Sequence, residues 1–203
     1  MTVTISRLYD SYAEAQKAVV SLETAGVPHG DISIVANNSD GWFDGKKDRD
    51  RDGVDDRAEA AGTGAGIGAG VGGAAGLLAG LGLLAIPGLG PVVAAGWLAA
   101  TAVGAAAGAA TGGIVGALTE AGVSKEDAAL YAEGVRRGGT LVSAKVNDAD
   151  RARLEALMSP SSVNLNDRRA AWEKSGWSGY DPASQPYDAV QVRKERELYG
   201  RAR

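Results

Sequence analysis

Residues 48 to 59 carry the clearest chemical spacing in the chain. The run Asp48-Arg49-Asp50-Arg51-Asp52-Gly53-Val54-Asp55-Asp56-Arg57-Ala58-Glu59 places acids at positions 1, 3, 5, 9 and 12 of a twelve-residue loop, with glycine at position 6. That is the ligand order of a calcium loop. Asp48, Asp50 and Asp52 would give side-chain oxygens and Val54 a backbone carbonyl. Asp56 would bind directly or through water, Glu59 would close the site with both oxygens, and Gly53 permits the sharp turn. The same run also resembles the Asp-rich calcium repeats of many bacterial proteins. Three features pull the other way. Asp55 stands where an apolar residue is preferred, no obvious helix leads in, and Arg49, Arg51 and Arg57 offset some of the charge. A solvated charge run whose Asp55, Asp56 and Glu59 favour the positive end of a following helix is the competing reading.

Other reactive patterns are weak. Gly68-Ala69-Gly70-Val71-Gly72-Gly73 has the form GxGxxG, but it sits in a glycine-rich stretch with no strand before it and no acid at the ribose distance. His29, the one histidine, follows Pro28 in a turn and has no partner at catalytic or metal spacing, so it reads as a surface residue. There is no cysteine, which removes disulfides, thiolate metal sites and a thiol nucleophile. No carboxylate pair is marked out for acid–base work. An enzyme is not expected.

The calcium-like run opens onto a stretch, Ala60 to Thr119, with no charged residue, bounded by Glu59 and Glu120. Gly64, Gly68, Gly72, Gly76 and Gly80 recur every four residues, as do Gly96, Ala100, Gly104, Gly108, Gly112 and Gly116. Residues four apart share one face of a helix, and small residues there let two backbones approach closely. The two rows mirror each other about Gly88, so a fold at Pro87-Gly88 brings small residue opposite small residue. The spacing predicts a Gly/Ala-rich α-helical hairpin over 60–119. Gly62, Gly66 and Gly70, with Ala102, Ala106 and Ala110, form a second small face about 200° around each arm, suited to a neighbouring subunit. Glycine costs about 1 kcal/mol per helical position, so such arms need packing or lipid to recover it. Leu77 to Leu98 crowd the tip with large apolar side chains that require cover. Each arm of about 25 residues would span roughly 37 Å, enough for a bilayer core of about 30 Å.

The flanks read as one small α+β domain. Val3 to Tyr9 is a predicted strand, and Ser11 with Glu14 caps a helix through Ala15, Ala18, Val19 and Leu22. Gly26 and Pro28 stop that helix, and Asp31 to Ala36 is a second strand, expected to run parallel to the first. Ser124 and Asp127 start a helix that ends at Gly138-Gly139. Thr140 to Val146 is a third strand, and Asp148 caps a last helix that stops near Pro160. The order βαβ–insert–αβ suggests a ferredoxin-like domain missing a strand. The boundaries are 1–43 and 120–159 for the two halves, 44–59 for the calcium-like loop, 60–119 for the hairpin and 160–203 for a tail. In the tail, Trp172, Trp177, Tyr180 and Tyr187 recur at intervals, which suggests that part of it docks on a surface.

Ser11-Tyr12-Ala13-Glu14-Ala15-Gln16-Lys17-Ala18-Val19-Val20-Ser21-Leu22, continued by Gly26-Val27-Pro28 and Asp31-Ile32-Ser33-Ile34-Val35, resembles the general or heat-induced stress-protein domain of the YflT type. The resemblance spans roughly residues 1–145. It implies a bacterial stress-associated protein with no established catalytic activity and supplies no site residues.

Net charge is −4, which gives no general attraction to nucleic acid. Met1 to Arg7 lacks a basic-then-apolar leader, so secretion is not expected. The expected partners are other copies of the chain and a lipid bilayer. The expected place is the cytoplasm, or the inner membrane with the globular part on its cytoplasmic side, given the flanking Lys46, Lys47, Lys125, Arg136 and Arg137. The expected role is a non-enzymatic, self-assembling structural protein, with a membrane-tethered calcium- or ligand-binding sensor as the alternative. Calorimetric titration with Ca2+ is expected to give a binding isotherm that Asp50→Ala abolishes. No heat with the unsubstituted protein would leave the run as a solvated charge patch.

Overall fold

A computed structural model describes residues 1–43, 82–86, 89–99, 101 and 113–200. The calcium-like run lies outside these residues. So do Gly62, Gly66, Gly70, Ala102, Ala106 and Ala110, and every residue of the predicted hairpin rows except Gly96 and Gly116.

Local signals place the first elements. Strand β1 (Thr2–Tyr9) leads to helix α1 (Tyr12–Thr24), whose first turn is closed by Ser11. Ser11 Oγ accepts the Glu14 N–H at 3.3 Å and donates to the Glu14 carboxylate at 3.2 Å. The helix buries Ala15, Ala18, Val19 and Leu22, the face that the 3.6-residue period selects. It ends at Gly26, whose φ of +92° suits glycine. A single 3-10 turn precedes strand β2 (Ile32–Asn37), in which every residue is buried.

The apolar stretch departs from expectation at its tip. The chain folds back between Ile86 and Leu89, but the arms there are strands β3 (Gly82–Ile86) and β4 (Gly90–Gly96), paired antiparallel from Gly82–Ala94 to Ile86–Gly90. The helical-hairpin prediction is therefore corrected at residues 82–86 and 90–96. Pro87 and Pro91, with Gly82, Gly88, Gly90 and Gly96, fall within fifteen positions, and each disfavours a helix interior. Val92 and Val93 favour a pleated strand.

Helices α2 (Gly113–Glu120) and α3 (Lys125–Arg136) follow, the latter capped by Ser124, whose Oγ accepts the Asp127 N–H at 3.1 Å. Strand β5 (Thr140–Asn147) and helix α4 (Arg151–Met158) complete the domain. Helices α5 (Leu165–Lys174) and α6 (Ala189–Gly200) form the tail.

The sheet order is β1-β5-β2-β4-β3, each neighbour antiparallel to the next. β1 and β2 run parallel, as expected, but β5 lies between them. β4 and β5 are likewise parallel with β2 between. The domain is thus two interlocked split βαβ units, each parallel pair holding one strand of the other between its members. Ile5, Tyr9, Val19, Leu22, Ile32, Ile34, Val142, Leu154 and Met158 form the core on the α1/α4 side. Leu8, Val35, Val92, Leu98, Ile114, Leu118, Tyr131, Val135 and Leu141 form it on the α2/α3 side. Several polar side chains inside are paired. Ser6 and Ser143 share a hydroxyl bond of 2.8 Å, and Ser33 donates to Ala95 O at 2.8 Å. The Tyr131 hydroxyl donates to Ser6 O at 2.7 Å, and burial pushes its pKa up to about 12.

Gly96, expected in a helix row, is the pivot where β4 ends against β2. Its φ is +86°, and a Cβ there would lie 2.2 Å from Ile32 O and 2.8 Å from Ser33 Cα. Neither the conformation nor the space admits a side chain. Gly96→Ala is expected to lower stability by about 2–4 kcal/mol, measured by chemical denaturation. A change within experimental error would contradict the pivot.

Candidate functional site at the tail seam

Most of the polar machinery among the described residues gathers where the tail meets the domain. The last turn of α3 supplies three charges. Glu133 is fully buried, although it lies on a helix. Arg136 forks onto it, with Nε to Oε2 at 2.9 Å and Nη2 to Oε1 at 2.7 Å, and Arg137 Nε donates to Oε1 from one position further on. Arg137 reaches on to Glu195 of α6. The two guanidiniums also stack on Tyr187, and Arg137 on Trp172, at 4.9 to 5.2 Å from the ring centroids. Arg137 is held above its ordinary pKa by the Glu133 hydrogen bond and the nearby carboxylates, which outweigh a large opposing desolvation.

The tail is anchored along its length. Val163 N–H donates to Leu8 O at 2.7 Å, and Tyr9 bridges to Ser162 beside β1. Arg168 of α5 holds Asp10 with contacts of 2.8 and 3.1 Å. Arg196 of α6 pairs with Asp40 and donates from Nε to Gly138 O at 3.0 Å. Trp172 and Val192 are fully buried. Val192 Cγ1 would lie 2.7 Å from any Cβ at Gly138. The Gly138-Gly139 pair therefore ends a helix, as expected, and also makes room for the tail. The expected docking of the aromatic segment is what the structure shows.

Asn37 ties this seam to the departure of the acidic run. It is fully buried, donates from Nδ2 to Arg136 O at 3.2 Å, and accepts the Ser39 N–H at 2.9 Å. Asn38 then clasps Phe43 with two bonds of 2.9 and 3.1 Å, so the chain leaves for residue 44 from a fixed root.

Between α3, the α5–α6 connection and α6 lies an open cavity of about 590 Å3. Arg136, Arg137, Trp177, Tyr187, Lys194 and Glu195 are among its walls. Trp177 Nε1 and Glu195 Oε2 are buried there without a hydrogen-bond partner. Acids and bases largely neutralise each other across the walls, and no histidine or cysteine is present. The arrangement suits holding two segments together, or a polar ligand, better than proton transfer. His29, the sole histidine, lies apart with Nδ1 3.3 Å from Glu23 Oε1 and about half exposed, as the sequence suggested.

Among the described residues, no three potential ligands gather at a metal-binding distance, and no helix is long and apolar enough to cross a membrane. The tail seam was missed in the sequence. Its α3 charges have the three- and four-residue spacing of ordinary exposed helix pairs, and only the remote aromatics hinted that something would cover them. No family model, curated protein or solved structure matches the chain.

Removing the charge of Glu133 strands two guanidiniums in a buried setting. Glu133→Gln is expected to destabilise by about 3 kcal/mol and to make the tail the first site of limited trypsin cleavage. Equal stability and an unchanged cleavage pattern would show that the tail holds without it.

Proposed function

We propose that the chain is a non-enzymatic, stress-associated structural protein that assembles into a homo-oligomer through its uncharged Gly/Ala-rich segment, in solution or against a membrane. One observation carries the reading. The segment is built into the domain at the sheet's margin, where β3 is outermost and Leu83 is 48% exposed. An apolar strand whose outer side meets no other strand among the described residues calls for cover, and the forty-five further uncharged residues on either side of the strand pair add to that demand. The stress association rests on the resemblance of residues 1–145 alone. In this reading the small-residue rows outside β3 and β4 supply contact between subunits, and the calcium-like run, rooted at Phe43, adjusts the angle between domain and segment.

A second reading is favoured by the cavity at the tail seam: a membrane-tethered sensor that takes calcium or a polar ligand. The two differ in mass without detergent. Sedimentation of a discrete multimer supports assembly. Aggregation relieved only by detergent supports tethering, and a stable monomer contradicts both. Replacing Gly66 and Gly70 with Leu is expected to lower the multimer's mass. An unchanged mass would remove the second small-residue face from the account.

A further inference from the structure

The two edges of the sheet are treated differently. At the β1 edge, the tail lies alongside, with the Tyr9–Ser162 bridge and the Val163 N–H to Leu8 O bond closing one end, and the strand carries Arg7. Those are the usual guards against edge-to-edge pairing. At the β3 edge, Gly82-Leu83-Leu84-Ala85-Ile86 has no charge and no proline. Among the described residues no strand pairs with its outer side.

We infer that β3 is a docking strand for a second copy of this chain, joining two five-stranded sheets antiparallel across a twofold axis at Leu84. The inference rests on the self-assembly proposed above and names its contact. An open edge asks for main-chain N–H and C=O partners, which another strand supplies and lipid tails do not. The segment is complementary to itself. With Leu84 opposite its own copy, Leu83 faces Ala85 and Gly82 faces Ile86, so no like charges meet. An uncharged strand has no charge pattern with which to select a different protein, whereas twofold pairing uses one patch twice and closes. Closure also limits growth at this contact. The joined sheet presents only β1 edges at its ends, both shielded by tails. Larger particles must then grow through another part of the uncharged segment.

The lack of native cysteine makes the test direct. In antiparallel pairing, residues on the axis have Cα atoms about 4.5–5.5 Å apart, within the range a disulfide accepts. Leu84→Cys in the full chain is expected to form a covalent dimer under mild oxidation about tenfold faster than Val20→Cys, an exposed site on α1. Sedimentation of Leu83→Lys, a substitution at a half-exposed position, is expected to halve the multimer's mass. If the protein is a multimer but Leu84→Cys cross-links no faster than Val20→Cys and Leu83→Lys leaves the mass unchanged, edge pairing is overturned while assembly stands. If the unsubstituted protein is a monomer, both fail. Circular dichroism of each variant separates loss of pairing from loss of folding.

Discussion

Backbone hydrogen bonding inside the sheet is the constraint on which the rest depends. β2 and β5 are sunk between two helical layers: Ile34 and Val35, like Leu141 and Val142, are adjacent in sequence and wholly buried on opposite faces. Water cannot reach the main chain of such strands, and each N–H and C=O left unpaired there costs as much as a lost hydrogen bond. β5 takes β1 on one side and β2 on the other. β2 then has one side still to satisfy, and the nearest uncommitted chain is the uncharged segment. Residues 90–96 are drawn in as β4, and 82–86 fold back on them as β3. Gly96 follows from the same constraint, because the chain must leave β4 directly over Ile32 and Ser33.

The elements set by local chemistry were readable in the sequence. Ser11 and Ser124 announce two helices, Gly26 ends one of them, and the alternation around Val142 to Val146 marks a strand. What was not readable depends on partners far away in the chain. The glycine spacing across residues 60–119 is a helical signal, and it masked the competing proline and valine signals at the tip. The adjacent apolar residues of β2 did hold a clue: a run of that kind belongs in the middle of a sheet, which three strands could not provide. At the tail seam the same limit applies. Glu133, Arg136 and Arg137 look like a solvated helix surface until α6, more than fifty residues later, covers them with Glu195 and Val192.

The two ends of the molecule divide the work. The tail meets one end of the β1 edge and packs its aromatics over the buried charges of α3. The other edge consists of the apolar segment itself. One margin thus meets the tail, and the other is built from uncharged aliphatic residues. The root of the acidic run, held by Asn37 and Asn38, lies beside the ion pair of Asp40 with Arg196, so the tail, the root and β2 form one connected unit.

The central claim is that β4 completes the sheet beside β2. Amide hydrogen exchange with assigned NMR resonances tests it most directly. The account predicts slow exchange at Val93 to Ala95, comparable with Val142 and Ala144 in β5, and a cross-strand contact between Val35 and Ala94. Rapid exchange at Val93 to Ala95, or a helical pattern of sequential contacts through them, would contradict it.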